Sequence, residues 1–177
     1  MIKGLKLHLY KKRLAEIEKR NAVGNVPVQN EFKNVLIFFD ATDGIERKVI
    51  QKYGAELERS GKVVKFFAFV NTKILDTDIG VDCYITKDIN WYQIPSNEDL
   101  QLIQSKKYDV MITLLSEIEN HHLFVIRSIN AAMKIGPSLS ELQQSIFDLN
   151  VEHKSILGIP ELIKNIKSSI QLLSNGK

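Results

Sequence analysis

The chain is poor in the residues that most often announce a function. It has one cysteine, one tryptophan and four prolines in 177 residues. The lone Cys83 excludes an internal disulfide, and its place inside the apolar run 81–85 reads as a small buried hydrophobe. No apolar run approaches the roughly 20 residues that span a bilayer. The best candidate, residues 63–70, is interrupted by Lys65. Lys3, Lys6 and His8 likewise break up the early leucines, so no secretory leader is read there and a cytoplasmic address is the default. Neither a Gly-x-Gly-x-x-Gly nor a Gly-x-x-x-x-Gly-Lys occurs, which removes the usual dinucleotide and P-loop fingerprints. No Cys, His, Asp or Glu set stands at a recognised metal-ligand spacing, and no cofactor or metal is expected.

What is present is an ordinary globular composition with an uneven charge. Hydrophobic residues make up 44% and charged residues 25%, enough to bury a core without staples. The net charge is +3, yet residues 1–20 alone carry +5, from Lys3, Lys6, Lys11, Lys12, Arg13, Lys19 and Arg20 against Glu16 and Glu18. The rest of the chain is mildly acidic. A basic segment on an acidic body suggests an anionic partner for that segment.

Residues 1–21 read as a helix, with Leu7, Tyr10, Leu14 and Ile17 on one face and Ile2, Leu5 and Leu9 widening it. Residues 22–32, with Gly24 and Pro27, read as an extended linker. Residues 33–177 then alternate strands and helices as one α/β domain with a mostly parallel sheet and helices on both faces. Strands are expected at 35–39, 63–70, 81–86 and 108–115. Between them come a helix from Gly44 to Arg59 with Ile45, Val49, Tyr53 and Leu57 inward, and a short helix opened by Ser96 with Asp99 three residues on. The centre of the pattern is residues 108–136: a buried strand, a helix over 121–133 and a short strand 134–136. A helical turn over 138–144, a more exposed strand over 146–151 and a closing helix over 161–173 complete the domain.

In open α/β sheets ligands bind beyond the carboxyl ends of the strands. The residues there are Asp40, Thr42, Asp43 and Gly44 after the first strand, Lys87, Asp88, Asn90 and Trp91 after the third, and Ser116, Glu117 and Glu119 after the fourth; the ligand-binding candidates among them are Asp40, Thr42, Asp43, Lys87, Asp88, Asn90, Trp91 and Glu117. Asp40 invites a phosphotransfer reading, but Thr42 stands where an Asp-x-Asp pair needs its second acid, and a turn with a helix cap is preferred. Trp91 and Tyr92 could stack on a sugar or base, although packing over the sheet edge is the preferred role for both. His121 and His122, adjacent and unable to chelate one metal together from a helix, read as surface residues near a helix start. The basic helix has three readings: docking to membrane headgroups, docking to RNA, or packing on a protein surface, its own or a partner's.

The basic start, Lys87-Asp88-Ile89-Asn90-Trp91, Tyr108-Asp109-Val110-Met111-Ile112 and the step from Ile129 to Gly136 together resemble a short bacterial family of unknown function. More distantly, residues 108–136 are similar to the N-terminal half of heptosyltransferase-type GT-B glycosyltransferases. The resemblance implies a Rossmann-like fold. In such enzymes the sugar donor is held mainly by a C-terminal domain, so a lone N-terminal half is expected to be non-catalytic or to act only with a partner. The expectation is therefore a cytoplasmic binding or adaptor module, docked by its basic helix to a protein partner, RNA or membrane headgroups, in the last case at the inner-membrane surface. The alternative is an enzyme or enzyme subunit acting on a sugar or nucleotide through Asp40, Lys87, Asp88 and Trp91.

Overall fold

The computed structural model describes residues 2–21, 32–75, 79–138 and 146–175. The expected linker over 22–32, except Phe32, and the expected helical turn over 138–144, except Ser138, lie outside them.

Six strands form one parallel sheet in the order β3-β2-β1-β4-β5-β6. They are β1 (Asn34–Asp40), β2 (Val63–Val70), β3 (Asp82–Ile85), β4 (Lys107–Leu114), β5 (Asn130–Pro137) and β6 (Leu149–Val151). The helices are α1 (Ile2–Asn21), α2 (Gly44–Arg59), α3 (Glu98–Gln104), α4 (Asn120–Ser128) and α5 (Gly158–Asn175). β1 lies between β2 and β4, with Ile37 opposite both Phe66 and Ile112. Covered on both faces, it has no polar side to show: Val35, Ile37 and Phe39 enter one core, while Leu36 and Phe38 enter the other.

The first core lies under α2 and α5, where Ile50, Tyr53, Leu162, Ile163 and Ile166 meet the strands. The second lies under α3 and α4, where Leu100, Ile103, Val125 and Ile126 cover Phe38, Phe67 and Met111. A third, smaller cluster joins Leu14 and Ile17 of α1 to Ile94 and Phe124, with Tyr10 and Tyr92 beside them. α1 is thus seated on α4 by its last turns, and the Tyr10 hydroxyl donates to the Asn120 carbonyl at 3.1 Å.

Several boundaries move from their expected places. The helix in the 121–133 run ends at Ser128, and Asn130 to Met133 belong to β5, where Ala131 pairs with Tyr108 and Met133 with Val110. Helical spacing of apolar residues continues past Ser128, but the parallel ladder needs that segment extended. Asn97, not Ser96, caps α3 by accepting from the Leu100 N–H at 2.9 Å. Ile45, expected to face inward, is 77% exposed, because it sits in the first turn of α2 beyond the strand ends it was meant to cover. β6 is three residues long, shorter than the expected strand.

Two glycines mark close approaches. A Cβ on Gly54 of α2 would lie 2.1 Å from the Phe66 ring, and one on Gly136 of β5 would lie 2.3 Å from the Phe147 ring. The Ile135-Gly136 step in the sequence therefore makes room for an aromatic cover over β5.

Candidate functional site

The strand order reverses direction between β1 and β4, and this is where an open α/β sheet leaves a crevice. A cleft of about 500 Å³ is found there, lined by Asp40, Glu46, Ser116, Glu117, Glu119 and His122, with Ile156 and Ile159 on its other side. Among the described residues its lining includes four carboxylates and no lysine or arginine.

The first turn of this crevice is where a Rossmann protein presents free backbone N–H groups to a phosphate. Here those groups are already used. Asp43 accepts from the N–H groups of Ile45 at 2.7 Å and Glu46 at 2.9 Å, and these bonds hold its carboxyl below the usual range. Asp40 accepts from the Thr42 N–H at 2.8 Å. The Asp43 cap thus takes two of the N–H groups at this helix start, and Glu46, on the cleft wall, adds a further negative charge. Burial, then the charges of Asp43 and Asp40, push the Glu46 carboxyl upward.

The adjacent histidines are not surface residues. Each is only 3% exposed, and their rings lie 3.9 Å apart among Phe38, Phe69 and Tyr84. The loop after β4 turns α4 inward at once, so its first turn falls over the sheet instead of toward solvent. His121 Nδ1 is 2.9 Å from the Tyr84 hydroxyl, and its Nε2 is 3.5 Å from the Glu119 carboxylate. The carboxylate favours a proton on Nε2, so Nδ1 accepts from Tyr84. Desolvation lowers the His121 pKa against the opposing pull of Glu119 and Asp40, and it holds the Tyr84 hydroxyl protonated. His122 Nδ1 accepts from the Glu119 N–H at 3.1 Å. Burial, with His121 beside it, drives the His122 pKa to about 3. Both rings are therefore neutral at physiological pH. Tyr84 is fully enclosed, so the Glu119–His121–Tyr84 chain ends inside the core at one end, while Glu119 at the other end lines the cleft.

The residues expected at the rim do not converge. Asp40 and Glu117 line the cleft. Thr42 accepts from the Asn71 N–H at 2.8 Å and ties the ends of β1 and β2 together. Asp88 accepts from the Ile85 N–H at 2.9 Å and from the Asn97 amide at 3.2 Å, which clasps the end of β3 to the start of α3. Lys87 is exposed on the same short 3₁₀ turn, Thr86–Asp88. Asn90 accepts from the N–H groups of Tyr92 at 3.1 Å and Ile94 at 3.0 Å, shaping a turn. Tyr92 packs toward α1, whereas Trp91, expected to cover the sheet edge, stays 50% exposed. Ser116, Glu117 and Glu119 line the cleft as their place after the fourth strand suggests, whereas Glu46 and His122 were not expected there. The nearness of Glu46 to Asp40 and Asp43 at a helix start was the available signal for it; the burial of His122 has no signature in the local sequence.

The basic residues of α1 present a second surface. Lys11, Lys12, Arg13 and Lys19 are exposed and Lys6 is half-buried. Arg13 pairs with Glu16 at 3.1 Å. The side chains of Lys3 and Arg20 lie outside the described residues. Leu5 and Leu7, expected to share the packing face, are each 54% exposed. Leu5 stands nine positions from Leu14, which on a helix is the opposite side, and Leu7 lies a turn or more before the seated residues. Among the described residues, no group of three or more His, Cys, Asp or Glu side chains is placed to hold a metal ion, and no helix is long and apolar enough to cross a membrane.

Sheet order, helices on both faces and a crevice at the switch point define a Rossmann-like α/β protein. The chain belongs to the Family of unknown function (DUF6913), whose model matches residues 6–173. No curated protein matches it in sequence. Among solved structures it is similar to the E. coli heptosyltransferase WaaC with ADP, at 12% identity and a TM-score of 0.43. That likeness covers 75% of this chain and 46% of the other, so the chain spans about half the length of that enzyme.

Proposed function

We propose that the protein is a Rossmann-like binding module without chemistry of its own, held on an anionic partner by the outward basic face of α1. The observation that carries this reading is the seating of the helix. Leu14 and Ile17 anchor it to the domain, so Lys11, Lys12 and Lys19 project from a fixed platform instead of a loose tail. The crevice supports the same reading: two N–H groups of the adjoining helix start are capped by Asp43, and the lining is acidic, which disfavours an anionic ligand. Attraction at this surface is electrostatic and falls with added salt. The test is retention on a heparin column of the full chain and of a variant carrying Lys11→Glu, Lys12→Glu and Lys19→Glu. All three positions are exposed, so the variant keeps its fold. Earlier elution of the variant is expected, and identical elution would remove the reading.

One observation favours the second reading, an enzyme or subunit acting on a sugar or nucleotide. The cleft lies at the switch point and has Asp40 on its wall. A saturable rise in melting temperature with a nucleotide or sugar, lost in Asp40→Asn, would support it. No rise with any of a panel of these compounds would dismiss it.

A further inference from the structure

We infer that the first half of α1 and the turn carrying Trp91 together form a docking surface for an anionic lipid bilayer. This rests on the reading of α1 as the docking element and names what it docks to.

The turn is built to hold Trp91 outward. The Asn90 N–H donates to the Ile94 carbonyl at 3.1 Å, and the Gln93 N–H donates to the Asn90 carbonyl at 3.0 Å. Asn90 Oδ1 accepts from two further N–H groups of the same loop. Gln93 closes the turn at φ 69°, a left-handed conformation that a residue with a side chain adopts only when its surroundings insist. The outcome is a division of neighbours: Tyr92 and Ile94 turn in toward Leu14 and Ile17, and Trp91 turns out. It is the chain's only tryptophan and it remains half exposed. A tight, strained turn that buried its tryptophan would be ordinary packing. One that presents it asks for something to receive it.

Trp91 also lies against the helix that carries the positive charge. The Lys6 ammonium stands 5.5 Å from the centre of its indole ring. On the same half of α1, Leu5 is exposed on the side of the helix that also carries Lys12, while Leu7 points to nearly the opposite side, and residues 2–13 include five basic residues and no acid. A helix whose whole task was to cover the domain would carry a polar residue at position 5, on the side away from Leu14.

A bilayer lying against this side of the helix uses Trp91, Leu5 and the basic residues beside them. Lipid phosphates attract the lysines, and the headgroup boundary accepts tryptophan and leucine, one end of the indole apolar and the other wet. RNA would use the lysines but leave Leu5 idle, and one face of the exposed indole is already occupied by Lys6. A lipid surface is therefore the occupant that matches both the charge and the apolar groups.

Because the chain has one tryptophan, its fluorescence reports on this surface alone. The full chain is mixed with vesicles of phosphatidylcholine and phosphatidylglycerol in equal parts, or of phosphatidylcholine only. Cosedimentation with the anionic vesicles and a blue shift of the emission are expected, both reversed by salt and both absent with phosphatidylcholine. Trp91→Ala should melt as the parent does and bind the anionic vesicles roughly tenfold more weakly. Binding to anionic vesicles with no shift, and with Trp91→Ala unaffected, would keep α1 as the docking element and overturn the proposed surface. Retention on heparin or single-stranded RNA without vesicle binding would keep the anionic partner and overturn the lipid. Binding to none of these would overturn both.

Discussion

The Phe147 ring lies over Gly136, so close that a methyl group on Gly136 would meet three ring carbons within 2.6 Å. Phe147 is buried in the second core, so an added methyl group must displace its ring. Gly136→Ala should cost on the order of 1–3 kcal/mol, the usual range for overpacking a closed core. Urea unfolding checks this. Phe147→Leu in the same chain should recover part of the loss, and a cycle of the two changes measures their coupling.

The entrance to the sheet is pinned by Asp109. Its carboxylate accepts from the N–H groups of Lys33 at 2.8 Å and Asn34 at 2.7 Å, tying the start of β1 to β4. The Asn34 N–H is the largest influence holding this carboxyl below its ordinary range. A depressed carboxylate stabilises the fold above its unfolded pKa and loses that contribution as pH falls through the folded value. Asp109→Asn should therefore cost about 1 kcal/mol at neutral pH. The gap between parent and variant should close as acid protonates the carboxylate, and a gap independent of pH would count against the assignment.

The buried histidines act in the same direction on acidification by a different route, since burial favours their neutral form. His122 titrates at about 3 in the folded chain, with burial as the main cause, against an ordinary value near 6.5. Between those values the unfolded chain binds a proton that the folded chain does not, so stability rises with pH across this window and falls on acidification. The slope from one such group approaches about 1.4 kcal/mol per pH unit. His121, lowered in the same direction by desolvation, adds to it. Unfolding free energies measured from neutral pH downward should show this slope, and His122→Phe should flatten it.

The seat of α1 depends on Leu14, which is buried against Ile94 and Phe124. Leu14→Ala should cost about 2–3 kcal/mol of local stability. Limited proteolysis should then cut within α1 before it cuts the sheet domain. Hydrogen exchange should rise in α1 and leave β1 and β4 protected. Equal loosening of α1 and the strands would mean that the helix is integral to the main core.

Much of the fold is legible in the residues. The runs Val35 to Phe39 and, apart from Asp109 and Thr113, Tyr108 to Leu115 are apolar on both sides of the pleat, as a strand covered on both faces is. The Asp43 cap and the close of α2 near Ser60 follow from short-range chemistry, as does the alternation of strand and helix that leads to a parallel sheet. A basic segment on a mildly acidic body is likewise a property of the chain read in order.

Other features depend on contacts between residues far apart in the sequence. His121 and His122 look like polar residues at a helix start until α4 is laid over Phe69 and Tyr84. Asp40, Asp88 and Trp91 look alike as rim candidates, yet one lines the cleft, one clasps β3 to α3 and one faces outward beside Lys6. Leu7 and Leu14 occupy equivalent places in a helical pattern, and only the extent of α4 beneath them decides that one is bare and the other buried. Periodicity and capping act within a few residues and so are written in the sequence. Burial is set by which surfaces meet, and for this chain it was the tertiary structure that decided which polar groups are spent inside and which charges are left to meet a partner.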